Sequence, residues 1–299
     1  MIHGIINIYK EKGFTSHDVV AKLRGIVKQK KIGHTGTLDP EAEGVLPVCL
    51  GAGTKLCDML TDKDKTYRAV LLLGQTTDTQ DTTGTVLKSM LVEVSESQIR
   101  AAVESFVGDY QQIPPMYSAL KVNGKKLYEL AREGKTVERK ARPVKILEID
   151  IESIDIPRVT MTVKCSKGTY IRTLCNDIGD KLGCGGCMEQ LTRTQVGIFH
   201  IEDSIRLAEV EKLQAEGCLI SKIRPVDAMF PEYPAILTLP EFDRMLYNGN
   251  ALYKEQLQIQ GELPVRIRVY DSKNRFCGVY RYAEEKRRYQ PEKMFLTEN

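Results

Sequence analysis

Asp39 lies in a glycine-rich segment, residues 33 to 44, which restricts the possible folds more than any other part of the chain. Its glycines permit backbone conformations that are closed to other residues, and Pro40 keeps Asp39 out of the right-handed helical region. Because apolar side chains lie inside and directly after the segment, we expect an ordered loop anchored in a core. The glycines are Gly33, Gly36 and Gly44, and the apolar residues are Leu38, Val45, Leu46, Val48 and Leu50.

Strand and helix patterns follow one another around this loop. Ser16 is the expected N-cap of the first helix, and Ser95 with Gln98 forms a capping-box pattern that opens another helix ending at Gly108. The predicted strands are Ile2 to Ile8, Tyr67 to Leu73 and Val159 to Val163. The remaining predicted helices are Lys126 to Glu133, ending at Gly134, and Tyr170 to Leu182, ending at Gly183.

The composition of the chain changes after Phe230. Three prolines mark the join, and the residues that follow favour two strands separated by a polar turn. This pattern predicts a small barrel-like module, so we expect a first domain over residues 1–230 and a second over residues 231–299. The prolines are Pro231, Pro234 and Pro240, the strands are Val265 to Tyr270 and Phe276 to Tyr282, and the turn is Asp271 to Asn274.

The net charge of +3 does not by itself indicate a nucleic-acid partner. The basic residues nevertheless concentrate in four groups separated by acidic stretches. Such groups suit a protein that binds a bulky polyanion at several points, and they also suit ordinary solvated surface. The groups are Lys22, Arg24, Lys28, Lys30 and Lys31; Lys121, Lys125 and Lys126; Arg139, Lys140, Arg142 and Lys145; and Arg281, Lys286, Arg287, Arg288 and Lys293.

Secretion and membrane insertion are not expected. Residues 1–7 lack the basic and apolar regions of a signal peptide, and no apolar run approaches the roughly 18 residues that a spanning helix needs. We therefore expect a cytoplasmic protein without a membrane partner, and in that compartment the eight cysteines favour reduced thiols.

Neither a metal site nor nucleotide hydrolysis is expected. Cys184 and Cys187 are the one close cysteine pair, and a zinc site would need a second pair or histidines at ligand spacing. A glycine-rich turn after a helix is the favoured interpretation of this pair. Residues 51–55 contain glycine, threonine and lysine without the spacing of a Walker motif.

Asp39 has two interpretations when the loop is considered alone. A lone carboxylate held in an apolar frame is what nucleophilic or general acid–base catalysis requires. A structural turn, in which the aspartate hydrogen-bonds nearby backbone, fits the same residues. His34, Thr35 and Thr37 would supply polar groups in either case.

Several motifs, in the same order, resemble those of the bacterial TruB family of tRNA pseudouridine synthases. The resemblance covers residues 1 to about 230, and the remainder is similar only to a PUA-like module. The motifs are Gly33 to Pro40 continuing to Gly51; Lys65 to Arg68; Gly74 to Asp81 with Gly84; Pro114 to Lys121 with Gly124 to Tyr128; Ser166 to Leu174; and Leu191 to Arg193.

The resemblance implies an α+β fold and a set of site residues. The fold would be a catalytic domain with a mixed, mainly antiparallel sheet flanked by helices and loops, followed by the small barrel-like module. Asp39 would be the catalytic aspartate, Tyr67 would stack on the target uracil and handle a proton, and Arg172 would pair with Asp39. The implied substrate-binding residues are His34, filling the space of the extruded nucleotide, Leu191, packing against the base, and Lys10, Lys65 and Tyr170.

The implied reaction converts the T-loop uridine at tRNA position 55 to pseudouridine. The base leaves C1′ through N1 and rejoins it through C5, a change that requires no metal or other cofactor. Three roles fit Asp39, namely attack on C6, attack on C1′ and abstraction of a proton to give a glycal. Residues 75–140, rich in lysine and tyrosine, resemble an insertion that grips the T-arm, so we expect a monomer acting on tRNA without a guide RNA.

Arg172 also has an expected physical task. Desolvation disfavours the charged form of a buried aspartate, and a permanently charged guanidinium beside it reverses that tendency. The resemblance departs from the family pattern near the N-terminus, where Lys10 and Gly13 match but Tyr9 and Glu11 replace the usual aspartate and proline. This departure affects the expected contacts of the first strand and leaves the catalytic set unchanged.

Overall fold

The structure, a computed structural model, describes residues 1–122 and 124–296. The strands are β1 (Gly4–Lys10), β2 (Ile32–His34), β3 (Glu43–Leu50), β4 (Lys65–Leu73), β5 (Gln75–Thr77), β6 (Val86–Ser89), β7 (Gly108–Gln112), β8 (Lys121–Val122), β9 (Lys125–Lys126), β10 (Arg142–Asp155), β11 (Arg158–Cys165), β12 (Gly186–Val196), β13 (Phe199–His200), β14 (Ile223–Arg224), β15 (Ala235–Leu237), β16 (Arg266–Tyr270), β17 (Phe276–Ala283) and β18 (Arg288–Met294). The helices are α1 (Ser16–Val27), α2 (Cys57–Thr61), α3 (Glu96–Glu104), α4 (Leu127–Arg132), α5 (Ile171–Leu182), α6 (Leu207–Ala215) and α7 (Asp243–Tyr247).

One large sheet carries the candidate site. Within the described residues it contains ten strands in the order β14-β1-β3-β12-β4-β11-β10-β7, with β2 beside β3 and β13 beside β12. Its pairs are antiparallel, except for the short parallel pair between β3 and β12. The α+β fold with a mixed, mainly antiparallel sheet is therefore confirmed.

Two helices bury an apolar face in different clusters of the sheet. On α5, Leu174 and Ile178 pack in a cluster with residues of β4 and β11. On α1, Val19 and Leu23 pack in a cluster with residues of β1 and β3. Each such side chain contributes about 1.5–3 kcal/mol when fully buried, so both helices are held firmly. The start of α1 thereby lies near the strands that carry Asp39, and the start of α5 lies near β4.

Helix α1 begins one residue earlier than the sequence predicted. Its N-cap is Thr15, whose Oγ1 accepts from the Asp18 N–H at 3.0 Å while the Asp18 carboxylate accepts from the Thr15 N–H at 2.8 Å. The expected cap, Ser16, is the first residue of the helix and is fully buried. Its hydroxyl accepts a hydrogen bond from the Leu38 N–H instead.

Most of the other helix ends lie where the sequence predicted them. Ser95 and Gln98 form the predicted capping box of α3, and Gly183 ends α5 in the left-handed conformation with a φ of 76°. The prediction that α3 extends to Gly108 is wrong, because the helix ends at Glu104. Gly108 instead starts β7 and pairs with Ile146.

The C-terminal strands form a separate sheet in the order β15-β16-β17-β18. The two predicted strands and the turn between them are confirmed, with the Asn274 N–H donating to Asp271 O at 2.9 Å. Isolated bridges join Leu252 to β18 and Leu257 to the residue after β15, so residues 252–257 contact both edges of the sheet. A closed barrel, and the domain limits at residues 230 and 231, stay predictions.

The remaining sequence expectations concern cysteines and membrane helices. Cys184 lies in the glycine-rich turn after α5 and Cys187 lies at the start of β12, both as buried free thiols. In the described parts of the chain, no group of three or more His, Cys, Asp or Glu side chains could hold a metal ion. Within residues 1–122 and 124–296, the helices fall short of the length and apolar character needed to span a bilayer.

Candidate active site

The Asp39 loop, residues 35–42, joins β2 to β3. The first two residues of the predicted loop, residues 33 to 44, belong to β2 and the last two to β3, so the loop is shorter than expected. Gly44 packs on the backbone of Arg193, where an added Cβ would lie 2.2 Å from Arg193 O at a φ of +105°. Position 44 therefore needs glycine, and the close approach brings the Asp39 loop next to β12.

Two buried polar side chains hold the backbone of the Asp39 loop on either side of the carboxylate. The Leu38 N–H donates to Ser16 Oγ at 2.9 Å. Lys10 Nζ donates to Pro40 O at 3.1 Å and to Ala42 O at 2.5 Å. Ser16 and Lys10 are both 0% exposed, and hydrogen bonds shielded from water are electrostatically stronger than solvated ones. The backbone that carries Asp39 is therefore fixed from both directions.

Lys10 and Lys65, expected among the substrate-binding residues, are buried and bind backbone carbonyls instead. Burial lowers the pKa of each ammonium group to about 8. Lys65 Nζ donates to Thr61 O and Lys63 O, both at 2.5 Å, and so closes the turn that precedes β4. The structure gives both lysines a role in supporting the backbone.

Arg172 lies in the first turn of α5, and its guanidinium reaches the Asp39 loop. Its Nε lies 3.0 Å from Asp39 Oδ2, while Nη1 donates to Thr79 O at 2.9 Å and Nη2 donates to Tyr117 O at 2.8 Å. The Arg172 side chain is 6% exposed, but the Asp39 side chain is 42% exposed. The predicted contact is present, and the expected burial of Asp39 is not, which leaves the carboxylate open to an incoming substrate.

Asp81 is a second carboxylate at Arg172, and no role for it was predicted from the sequence. Its Oδ2 lies 3.8 Å from Arg172 Nη1, and its Oδ1 accepts from Thr79 Oγ1 at 2.8 Å and from Thr83 Oγ1 at 2.5 Å. The positive charge of Arg172 therefore lies between an open carboxylate and one that is held by hydroxyl groups. The threonine- and aspartate-rich motif over residues 74–81 was the one indication of this arrangement in the sequence.

Tyr67 and Arg193 are cross-strand neighbours on β4 and β12. Both are buried, and burial raises the pKa of the Tyr67 phenol, while the positive charge of the Arg193 guanidinium opposes this rise. Arg193 Nε also donates to Val45 O at 2.7 Å, and Nη2 donates to Gly36 O at 3.4 Å. Arg193 thus ties β12 to the Asp39 loop and to β3, a role that its place in a motif did not reveal.

The remaining sequence-predicted residues lie around this centre. Leu191 packs in the same buried cluster as Tyr67 and Leu38. The His34 ring packs edge-on against His17 with 5.2 Å between centroids, and its pKa is lowered, first by burial and then by the charge of His17. Tyr170 is the N-cap residue of α5 and lies two positions before Arg172.

This arrangement combines an accessible carboxylate, a buried guanidinium against it and a buried phenol on β4 of the same sheet. A carboxylate of this kind can act as a nucleophile or as a general base. Because the guanidinium is held by backbone carbonyls, its orientation does not depend on the substrate, which is the preorganisation that catalytic charge stabilisation requires. The site is therefore suited to chemistry at an electrophilic carbon or an acidic C–H bond.

The chain is similar in sequence to known proteins of one family. Residues 24–171 match the model of the TruB family pseudouridylate synthase (N terminal domain), and residues 172–231 match that of the tRNA pseudouridylate synthase B C-terminal domain. A curated tRNA pseudouridine synthase B from Lachnoclostridium phytofermentans is 55% identical, over 99% of this chain and 100% of its own length. Another from Clostridium novyi is 48% identical, over 93% of this chain and 95% of its own.

The fold is also similar to solved structures. A chain of a crystal structure of a Cbf5-Nop10-Gar1 complex superposes with a TM-score of 0.72 at 26% identity, covering 98% of this chain and 85% of that one. The matched families, the near full-length relatives and the fold agree with the motifs around Asp39. This chain belongs to the TruB family of pseudouridine synthases.

Proposed function

We propose that this protein converts the uridine at position 55 of the tRNA T-loop to pseudouridine. The observation that carries the proposal is the contact of 3.0 Å between Arg172 Nε and Asp39 Oδ2, with Asp39 still 42% exposed. Membership of the TruB family supports the same reaction, as does the similarity to curated relatives named tRNA pseudouridine synthase B.

The target base must first leave the stacked RNA. Extrusion costs a few kcal/mol, and stacking on an aromatic ring recovers about 1–3 kcal/mol per base. Tyr67 supplies that ring and Leu191 an apolar surface in the same cluster. His34, at the end of β2, would take the place of the extruded nucleotide in the RNA loop.

The reaction then exchanges one bond of C1′ for another. The N1–C1′ bond breaks, the uracil turns, a C5–C1′ bond forms, and the proton on C5 is replaced by one on N1, so that no atom is gained or lost. Asp39 assists the cleavage as a nucleophile or base. The Tyr67 phenol, on the residue paired with Arg193 across the strands, is proposed to carry the proton that leaves C5.

The tRNA is proposed to bind through the four basic groups. Most of their side chains are exposed, including Lys22, Lys28 and Lys121, and contacts between such residues and phosphates weaken steeply with salt. Since Asp39, Tyr67, Arg172 and Leu191 come from one chain, a monomer suffices, and we further propose that it acts in the cytoplasm without a guide RNA.

Purified protein and an unmodified tRNA transcript, with no other RNA, provide the test. We expect pseudouridine at position 55 by mass-spectrometric mapping, and tRNA from cells that lack this protein should lose the same modification. Activity that appears only with an added guide RNA, or a modification at another position, would contradict the proposal. Binding that is unchanged between low and high salt would count against the basic groups.

A further inference from the structure

Gln112, the last residue of β7, is a buried amide that the reaction as proposed does not use. Its side chain is 1% exposed. Its Oε1 accepts from the Tyr170 N–H at 2.7 Å, and its Nε2 donates to Tyr170 O at 2.9 Å. One amide therefore satisfies both backbone groups of a single residue that lies 58 positions away in the sequence.

Tyr170 is the residue from which α5 starts. Its carbonyl also accepts the helical hydrogen bond from the Leu174 N–H at 3.1 Å. Among the described residues, the Tyr170 side chain makes no capping hydrogen bond, so the start of the helix has little local support of the usual kind. The two bonds to Gln112 hold the N-cap residue in place and, with it, the first turn of the helix.

Arg172 follows Tyr170 by two residues, and its contact with Asp39 depends on where that turn lies. The segment that carries Gln112 also supplies Tyr117 O, which accepts from Arg172 Nη2 at 2.8 Å. Strand β7 lies at the edge of the main sheet and pairs there with β10. The same edge segment therefore fixes the backbone before Arg172 and one arm of its guanidinium.

We propose that Gln112 is a positioning residue for the isomerisation, one that sets the Arg172–Asp39 contact by holding the backbone of Tyr170. This inference rests on the proposed function. Residues 75–140, expected to grip tRNA, thereby also complete the catalytic centre. Displacement of a catalytic group by about 1 Å can cost on the order of 100-fold in rate, so a loosened helix start should reduce turnover while leaving RNA binding intact.

The test compares Gln112→Leu, which removes both hydrogen bonds, with Gln111→Leu at its exposed neighbour. In single-turnover assays with enzyme in saturating excess over tRNA, we expect the first variant to be slower by about 10- to 100-fold, with an unchanged KM in steady-state assays. The second variant should match the wild type in both. In an Arg172→Lys background, Gln112→Leu should cause little further loss, because both changes disturb the same contact.

The outcomes separate the inference from the proposed function. An inactive wild type would refute the proposed function, whereas an active wild type matched by Gln112→Leu would refute the positioning role alone. Independent losses in the double variant, or a raised KM with an unchanged rate, would also overturn it. If Gln112→Leu does not fold, Gln112→Glu, which keeps the acceptor and loses the donor, decides: a slower folded enzyme supports the inference, and a normal rate or an unfolded chain refutes it.

Discussion

The two partners of the Asp39–Arg172 contact are held in different ways. The Asp39 loop is fixed by Ser16 and Lys10, which lie close to it in the sequence and on the strand and helix that precede it. The Arg172 guanidinium is fixed by the carbonyls of Thr79 and Tyr117, which lie 93 and 55 positions away. The carboxylate therefore depends largely on residues within about 30 positions before it, and the arginine depends on more distant parts of the assembled fold.

The two side chains also differ in their exposure to solvent. The Asp39 side chain is 42% exposed and the Arg172 side chain 6%. A preorganised, buried cation next to an open carboxylate keeps the reacting group accessible without leaving its orientation to chance. Variants of Arg172, of Tyr67 and of the residues that hold the Asp39 loop test this difference, in order of decreasing expected effect.

The largest effect is expected at Arg172. Lysine keeps the charge but cannot bind a carboxylate and two carbonyls in the geometry of a guanidinium, so Arg172→Lys should lower the single-turnover rate by about 1,000-fold while tRNA binding is kept. Arg158→Lys, at an exposed ion pair with Glu189, is the matched control and should behave as the wild type. Equal rates for the two variants would show that the geometry of the Arg172 guanidinium is dispensable.

Tyr67→Phe tests the role of the buried Tyr67 hydroxyl. The ring for stacking is kept and the hydroxyl is lost, so we expect a rate about 100-fold lower with unchanged tRNA affinity, measured by filter binding. Tyr253→Phe, at an exposed tyrosine, should have no effect. A near-normal rate for Tyr67→Phe would remove the phenol from proton transfer and leave Tyr67 a stacking role.

Ser16→Ala probes the Asp39 loop without touching Asp39. It leaves the buried Leu38 N–H without its acceptor, which costs about 1–3 kcal/mol of the free energy of unfolding, and the displaced loop should react about 10-fold more slowly. Thr15→Ala removes the cap of the same helix, at a cost of about 1 kcal/mol, and should leave the rate unchanged. If both variants lose stability and neither loses rate, Ser16 serves only the fold.

The smallest effect is expected for Lys10 and depends on pH. The folded pKa of about 8 is below the ordinary value of 10.5, so between these values the unfolded chain binds more protons and folding stability rises with pH. Lys10→Met lacks this contribution. The wild type should therefore gain on the order of 1 kcal/mol in its free energy of unfolding, relative to the variant, from about pH 8 to about pH 9.5.

Chemical denaturation at several pH values provides the measurement. Lys30→Met, at an exposed lysine, is the control and should show no such trend relative to the wild type. A difference between wild type and Lys10→Met that is constant with pH would mean that Lys10 is not buried as a charged group beneath the Asp39 loop.

Much of the fold followed from the sequence, because helix caps and apolar periodicity are local. The capping box at Ser95 and the glycine that ends α5 were predicted correctly. Thr15 and Ser16 were not distinguished, since both can cap a helix and only the packed structure shows that Ser16 Oγ is needed by the Leu38 N–H. The end of α3 was misplaced for a related reason, as Gly108 is required by a strand.

The site was predictable where it depends on a motif and not where it depends on tertiary contacts. Resemblance to a family placed Asp39, Tyr67 and Arg172 together. The structure shows the contact between Arg172 and Asp39, and the role of Tyr67 stays a prediction. Asp81 and Arg193 were missed as partners, because their contacts join segments that are distant in the chain. The buried state of Lys10 was missed too, since a lysine at the end of a strand is ordinarily solvated.

The central claim is that Asp39 performs the isomerisation of a tRNA uridine. Wild type and Asp39→Asn, each incubated with an unmodified tRNA transcript and analysed by mass-spectrometric mapping, test it most directly, with Asp62→Asn at an exposed aspartate as the control. We predict pseudouridine at position 55 with the wild type and the control, and none with Asp39→Asn, although this variant still binds the tRNA. Pseudouridine formed by Asp39→Asn at the wild-type rate would contradict the account.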